Sequence, residues 1–356
     1  MAWVRTPSPS SVIAVLSAVV IAVVTGGYTL YWFHLADGVL TGVDAWAAEQ
    51  RDRGYVVAFR DLTVTGFPGR LRVRAAAPAL GRASGALPWH WAGPTLVAEL
   101  APWDPRRATI RLPGAHRLDT VLDGRPRTVR ADAASAVIEV LIDGRGRVRD
   151  AALKASDLSA AVVETGQAVS IAGLEIVVHR RWPAEMLGGD MRRDLDVGFA
   201  VEDLILPAQP NIPLGRRIHR LAGEAGARGP LPLDGTAAAA AAWREDGGRL
   251  DIRHLTLDWG RLQIVANGRL SLDERLQPRV DLDGRLRGWS ALFDALVSMR
   301  QMGRTEATLA SLALSALARP AADGGPPVLP AKISLRDRRL YLGPVPLLKL
   351  APVVWR

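Results

Sequence analysis

The sequence contains no cysteine. That single absence excludes disulfide staples, thiolate zinc sites, lipoprotein attachment and a cysteine nucleophile. Lysine is scarce too. Of 45 cationic residues only Lys154, Lys332 and Lys349 are lysines, so the net charge of +9 is almost entirely arginine. Arginine and alanine enrichment is what a GC-rich genome yields without any partner selecting for it. The arginines are scattered, many at every second position of strand-like runs (Arg70, Arg72, Arg74), where alternation puts them on a solvated face. No stripe interleaves them with stacking aromatics, so nucleic acid is not expected as a partner. Attraction to anionic lipid headgroups fits this charge better.

Signatures of chemistry are missing as well. There is no Gly-x-Ser-x-Gly elbow and no phosphate-cradling Gly-x-x-x-x-Gly-Lys loop. The six histidines (His34, His90, His116, His179, His219, His254) stand apart, with no pair at metal-ligand spacing. Carboxylates come mainly as Asp-x-Asp (Asp194 and Asp196; Asp281 and Asp283) or as Asp-Gly turns (Asp123, Asp143, Asp234, Asp283). Two carboxylates at i and i+2 share a strand face and could form a cation site or a glycosidase pair. Their alternation with Leu195 and Leu282 makes a solvated sheet face the simpler reading. No catalytic residue, metal ligand or cofactor is expected, and the protein is read as a non-enzyme.

What is present begins at Ser11. Ser11 to Leu35 carries no formal charge, is dense in Val, Ile, Ala and Leu, and exceeds the roughly 20 residues a bilayer core requires. Tyr28, Tyr31, Trp32 and Phe33 gather at its end, where amphipathic rings favour the membrane–water interface. Arg5 precedes the span while Asp37, Asp44 and Glu49 follow, placing the N-terminus in the cytoplasm by the positive-inside bias. The apolar run is longer than a signal-peptide core and lacks a clear small-x-small site, so an uncleaved anchor is preferred over a secretory peptide. His34 is read as an interfacial side chain.

Apolar positions at Val39, Leu40, Val43 and Ala47 continue a helical spacing as far as Gly54. Beyond it the period becomes two. Tyr55, Val57 and Phe59, then Leu62 and Val64, lead to a turn at Gly66-Phe67-Pro68-Gly69, and Leu71 and Val73 resume. Strands are expected at 96–100, 109–112, 137–142, 174–178 and 197–201. The clearest meander is 249–287, with breaks at Gly260, Asn267-Gly268 and Asp283-Gly284 and a bulge near Arg253-His254. Helices are expected over 212–223, beginning near Pro213, and as a pair within 289–318 divided at Gly303. The alanine run Ala237–Ala242 reads as a strand or its margin. A loop over 321–330 leads to a final hairpin, Ile333 and Leu335 against Leu340 and Leu342.

The fold class that follows is mainly β with a few helices (α+β): an N-terminal transmembrane helix, then a long, curved antiparallel sheet with short helices packed on it. Residues 1–10 form a cytoplasmic tail, 11–35 the transmembrane anchor, 36–53 a helical stalk and 54–356 a periplasmic β-rich domain. A sub-boundary is expected near 205–230, where Pro207, Pro210, Pro213 and Gly229-Pro230 gather.

Eleven tryptophans are present, with Trp89, Trp91 and Trp103 clustered between Pro88 and Pro105 and others at Trp182, Trp243, Trp259 and Trp289. Core and turn packing is their ordinary use. The alternative is that Phe67, Trp89, Trp91 and Trp103 line an apolar groove or touch the membrane surface.

Three stretches carry a resemblance: Gly66-Phe67-Pro68-Gly69-Arg70-Leu71; Trp89-His90-Trp91 with Trp103-Asp104-Pro105-Arg106-Arg107; and Asp258-Trp259-Gly260 with Gly268-Arg269-Leu270. The chain resembles an alphaproteobacterial family of membrane-anchored proteins, domain of unknown function twenty-one twenty-five, from the anchor through Leu340-Tyr341-Leu342-Gly343-Pro344. That family often has an aromatic after Gly-Phe-Pro, where this chain has Gly69. It brings no assigned activity. More distantly, one span followed by a β-meander and a strand ending in Leu-x-x-Gly-Pro is similar to AsmA-like envelope proteins, which implies handling of lipids along a curved sheet. Three functions are therefore weighed: binding or conveying lipid-like ligands, serving as a structural or assembly factor that binds another envelope protein, and an unrecognised hydrolase. The expected location is the inner membrane, held by residues 11–35.

Overall fold

The computed structural model describes residues 9–355 apart from 84–87, 123, 145, 182–193, 209–211, 230, 233–234 and 322–323. Of the positions named above, residues 1–8, Asp123, Trp182, Pro210, Pro230 and Asp234 lie outside the described residues.

Helix α1 runs Pro9–Asp52 without interruption, 44 residues, or about 66 Å at 1.5 Å per residue. That is twice the thickness of a bilayer core, and its two halves differ. From Val19 to Val24 the apolar side chains are largely exposed, whereas Trp32, Ala36 and Ala47 are buried against the sheet. The expected stalk at 36–53 is therefore, as far as Asp52, a docked continuation of the same helix. The chain leaves it at Gly54, whose positive φ of 83° reverses direction.

Ten short strands follow: β1 (Tyr55–Ala58), β2 (Leu62–Thr65), β3 (Leu71–Ala76), β4 (Ala79–Arg82), β5 (Trp89–Ala92), β6 (Thr95–Ala101), β7 (Asp104–Arg111), β8 (His116–Leu122), β9 (Arg125–Asp132) and β10 (Ser135–Ile142). They act as five long strands, each creased near its middle. The β3–β4 unit pairs with both β2–β1 and β6–β5, and the pattern repeats through β7–β8 and β10–β9. Next come β11 (Val148–Val162), β12 (Ala168–Arg181), β13 (Asp194–Ile205) and β14 (Arg217–Arg228), which cross the same crease unbroken. Helix α2 (Ala237–Glu245) precedes β15 (Arg249–Trp259), β16 (Leu262–Leu272) and β17 (Pro278–Arg287). Helices α3 (Trp289–Ser298) and α4 (Arg304–Ser315) precede β18 (Leu329–Arg336), β19 (Arg339–Leu342) and β20 (Val345–Lys349). Every ladder is antiparallel and, with each creased pair counted as one strand, joins neighbours in the chain, so the whole is one open, curved up-and-down meander.

The crease has a local cause. At Asp157, Ala172, Asp203 and His219 the alternation slips by one residue, as in β11, where Leu153 and Ala155 face the same side as Leu158 and Ala160. Asp157 and Asp203 take positive φ angles of 49° and 47°, and Ala77, between β3 and β4, takes 46°. A left-handed residue reverses the pleat, so the apolar face continues round the bend instead of changing sides. Ala77 and Pro78 bond across to Pro94 and Gly93, both at 3.0 Å, which keeps the ladder closed there.

Three sequence readings are corrected. Residues 212–223 are not a helix, because β14 covers Arg217–Arg228. The slip at His219 stretches a period-two pattern into the three-residue step from Ile218 to Leu221, which imitates helical spacing. The alanine run is helix α2, started by Thr236, whose side chain accepts from the Ala239 amide at 3.2 Å. Asn267-Gly268 and Asp283-Gly284 are not turns but sit opposite each other inside β16 and β17. Gly268 is needed there because a Cβ would strike the Asp281 carbonyl. The bulge near Arg253-His254 is present, as a register shift between Ile252 and Leu255. The pair divided at Gly303 is present as α3 and α4. Strands β4, β5, β8, β9, β11, β14 and β20 are additions that the sequence did not signal.

Candidate functional site

One face of the meander is apolar from end to end. A single row of paired residues runs Val73, Ala98, Ile110, Ile138, Leu153, Ile176, Phe199, Gly223, Leu255, Ala266, Gly284 and Ala331. Rows on either side of it are equally apolar, for example Ala155, Leu174, Val201, Leu221 and Leu257. Each row exists because successive strands keep the same period-two phase in register. The opposite face carries the charge. Glu99 there bridges Arg72 and Arg111 at 2.6 Å each, and these two guanidinium groups hold its carboxyl below the usual range, Arg111 first. Asp119 is lowered likewise by Arg117 and Thr128.

Helices cover this face at both ends. At the first, Trp32 and Ala36 of α1 pack on Leu71, with Leu35, Val39, Val64 and Leu100 around them. At the last, Trp289, Phe293 and Leu296 of α3 and Leu314 of α4 pack on Leu286, Leu329 and Leu342. Leu71 and Leu329 are consequently 0% exposed. Between the two caps Ile110, Ile138, Leu153, Ile176, Phe199 and Leu255 are only half-buried. Seven neighbouring strands contribute to this open stretch, about 30 Å across at roughly 4.8 Å per strand.

Beyond the crease the apolar face continues through Val57, Leu80, Trp91, Leu118 and Val129. Trp91 stacks on His116, with ring centroids 5.5 Å apart. The next row outward turns polar and aromatic: Tyr55, Arg82, Trp89, Thr120 and Arg127. Arg82 lies over the Tyr55 ring at 5.4 Å. Both margins of the face carry arginine, Arg82 and Arg127 on this side and Arg106, Arg149 and Arg180 on the other.

The four aromatic candidates separate into two places. Trp89 and Trp91 lie on the apolar face, in adjacent rows of β5. Phe67 and Trp103 lie far from them, on two hairpin tips beside α1. The Tyr28 hydroxyl donates to the Pro68 carbonyl and the Tyr31 hydroxyl to that of Pro102, the latter at 2.7 Å. Trp32 Nε1 donates to Arg70 O at 3.3 Å. The Phe67 ring packs edge-on to Trp32 at 5.5 Å and stacked on Phe33 at 6.2 Å. Reasoning from the sequence missed Tyr55, Arg82, Thr120 and Arg127, which share a row only through strand register.

Three histidines each meet a carboxylate that an arginine also engages: His179 with Asp150, His219 with Asp203 at 3.4 Å and His90 with Asp119 at 3.9 Å. No group of three or more potential metal ligands occurs among the described residues.

The family model described as "Uncharacterized protein conserved in bacteria (DUF2125)" matches residues 32–351, and the chain belongs to that family. The match starts at Trp32, which is buried against Leu71, and takes in the whole sheet. No curated protein and no solved structure matches the chain.

Proposed function

We propose that this family member is a non-enzymatic envelope protein, anchored in the inner membrane by α1, whose periplasmic sheet holds or conveys lipid-like molecules. The observation that carries this reading is the open stretch between the caps, where large aliphatic side chains face outward in unbroken rows. A surface of this extent is costly in water, at about 25 cal/mol for each Å² left uncovered, and acyl chains are the natural cover. Arginines along both margins suit the headgroup end of an amphiphile. The stretch of α1 from Val19 to Val24, apolar and exposed, suits the bilayer. The likeness to AsmA-like envelope proteins belongs to this proposal and rests on architecture alone.

The test is photocrosslinking in cells with a benzoyl-phenylalanine at Leu153, which faces the open stretch, and at Lys154, which faces away. Lipid adducts at 153 and none at 154 are expected. Equal labelling at both, or none at 153, overturns the reading. A second reading, an assembly factor that engages another envelope protein, draws on Leu309 and Leu312 of α4, which stand exposed. It predicts protein adducts at 309 and 312 in the same experiment.

A further inference from the structure

We infer that the two hairpin tips beside α1 form a membrane-docking surface, with the anionic headgroup layer entered by α1 as its partner. The tips are the β2–β3 turn with Phe67 and the β6–β7 turn with Trp103. Both are tied to the same part of α1, since Tyr28 and Tyr31, about one helical turn apart, donate to Pro68 and Pro102. The segment immediately before, Val19 to Val24, is exposed and wholly apolar. A helix so composed places Tyr28 to Phe33 at the level where a bilayer gives way to water. Whatever is fixed to those residues sits at that level too.

What is fixed there suits the interface. Trp103 is 74% exposed and Phe67 48%, unusual for rings of this size unless one side is meant for a partner. Arg70, Arg106 and Arg107 accompany them on the same tips, against the single carboxylate of Asp104, which meets Arg107 at 3.8 Å. Arg70 reaches Glu99 only at 4.0 Å. Ring edges in the headgroup layer with arginines at the phosphates is a combination that binds anionic leaflets. Docking by two tips and a helix at once fixes the tilt of the sheet, which a lone span would leave free. It sets the anchor-side margin of the apolar face against the leaflet.

This inference rests on the anchoring part of the proposal and not on lipid conveyance. The absence of cysteine makes the test direct, because any single substitution gives a unique labelling site. The full chain is reconstituted in nanodiscs of phosphatidylcholine with phosphatidylglycerol. It carries an environment-sensitive fluorophore at V24C, F67C, W103C or L312C, and lipids bearing a shallow nitroxide act as quencher. Strong quenching at 103 and 67, with none at 312 on α4, is expected. Adding R106E and R107E is expected to weaken docking about fivefold or more, lowering quenching at 103 while leaving 24 unchanged. Quenching at 24 without quenching at 103 overturns the docking surface alone. Loss of quenching at 24 overturns the anchor itself.

Discussion

At its two ends the apolar face is sealed, and in its middle it is open, although the same residue types occupy both. Leu329 under α4 and Leu153 in the open stretch are both leucines facing the same way in the same sheet. They differ in what lies above them. A cap is made of sequence outside the strands: α1 precedes the first strand, and α3 and α4 are inserted between β17 and β18. The strands supply an apolar face everywhere, and the inserted helices decide where it becomes core. Burial in this fold is therefore a property of the insertions.

That contrast can be broken most easily at its sealed end. Phe293→Ala, at a position 2% exposed, is expected to cost about 3–5 kcal/mol in urea denaturation, since α3 loses its main anchor on Leu286 and Leu329. Leu153→Ala in the open stretch is expected to cost about 1 kcal/mol or less, as only part of its surface is buried. Similar losses at both positions would mean that the middle is covered as fully as the ends. Leu153→Asn is expected to lower lipid adducts at neighbouring Ile176 severalfold with little change in stability, which separates a ligand surface from a core.

The charged face offers a smaller effect. Glu99→Gln is expected to cost about 1 kcal/mol at neutral pH by weakening two charge-assisted bonds. Because the Glu99 carboxyl is lowered in the folded state, its contribution is present above the ordinary glutamate range and disappears as pH falls below about 4. The variant should show a flatter loss of stability across that acid window, measured by thermal melts. Smallest of all, Ala77→Gly at the crease relieves a positive φ of 46° and is expected to add a few tenths of a kcal/mol.

The parts legible in the sequence are those with a local cause. The apolar run of α1, the turn at Gly66 to Gly69, the bulge near Arg253 and the division at Gly303 follow from side chains next to one another. The strand class follows from period two. What stayed hidden depends on partners. The slip at His219 made a strand imitate a helix; the alanine run is the exception, since its cap, Thr236, stands directly before it and was legible there. The glycines at 268 and 284 mark a close approach between strands, which a turn motif mimics. For the site, Phe67, Trp89, Trp91 and Trp103 could be singled out by type, but their division between membrane tips and apolar face required the register. Whether the face was groove or core could not be read at all, because it depends on where distant helices land.

Consider finally where the sheet stops. The strand nearest the N-terminus is broken into two four-residue pieces, β1 and β2, with α1 lying along it. The strand nearest the C-terminus, β20, contains Pro346 and Lys349 and meets β19 through a register shift between Leu340 and Tyr341. Neither outer edge offers the long, flat run of free amides and carbonyls that strand donation or fibril growth uses. A protein that leaves much of one surface greasy thus denies a second copy the backbone template on which that grease would aggregate.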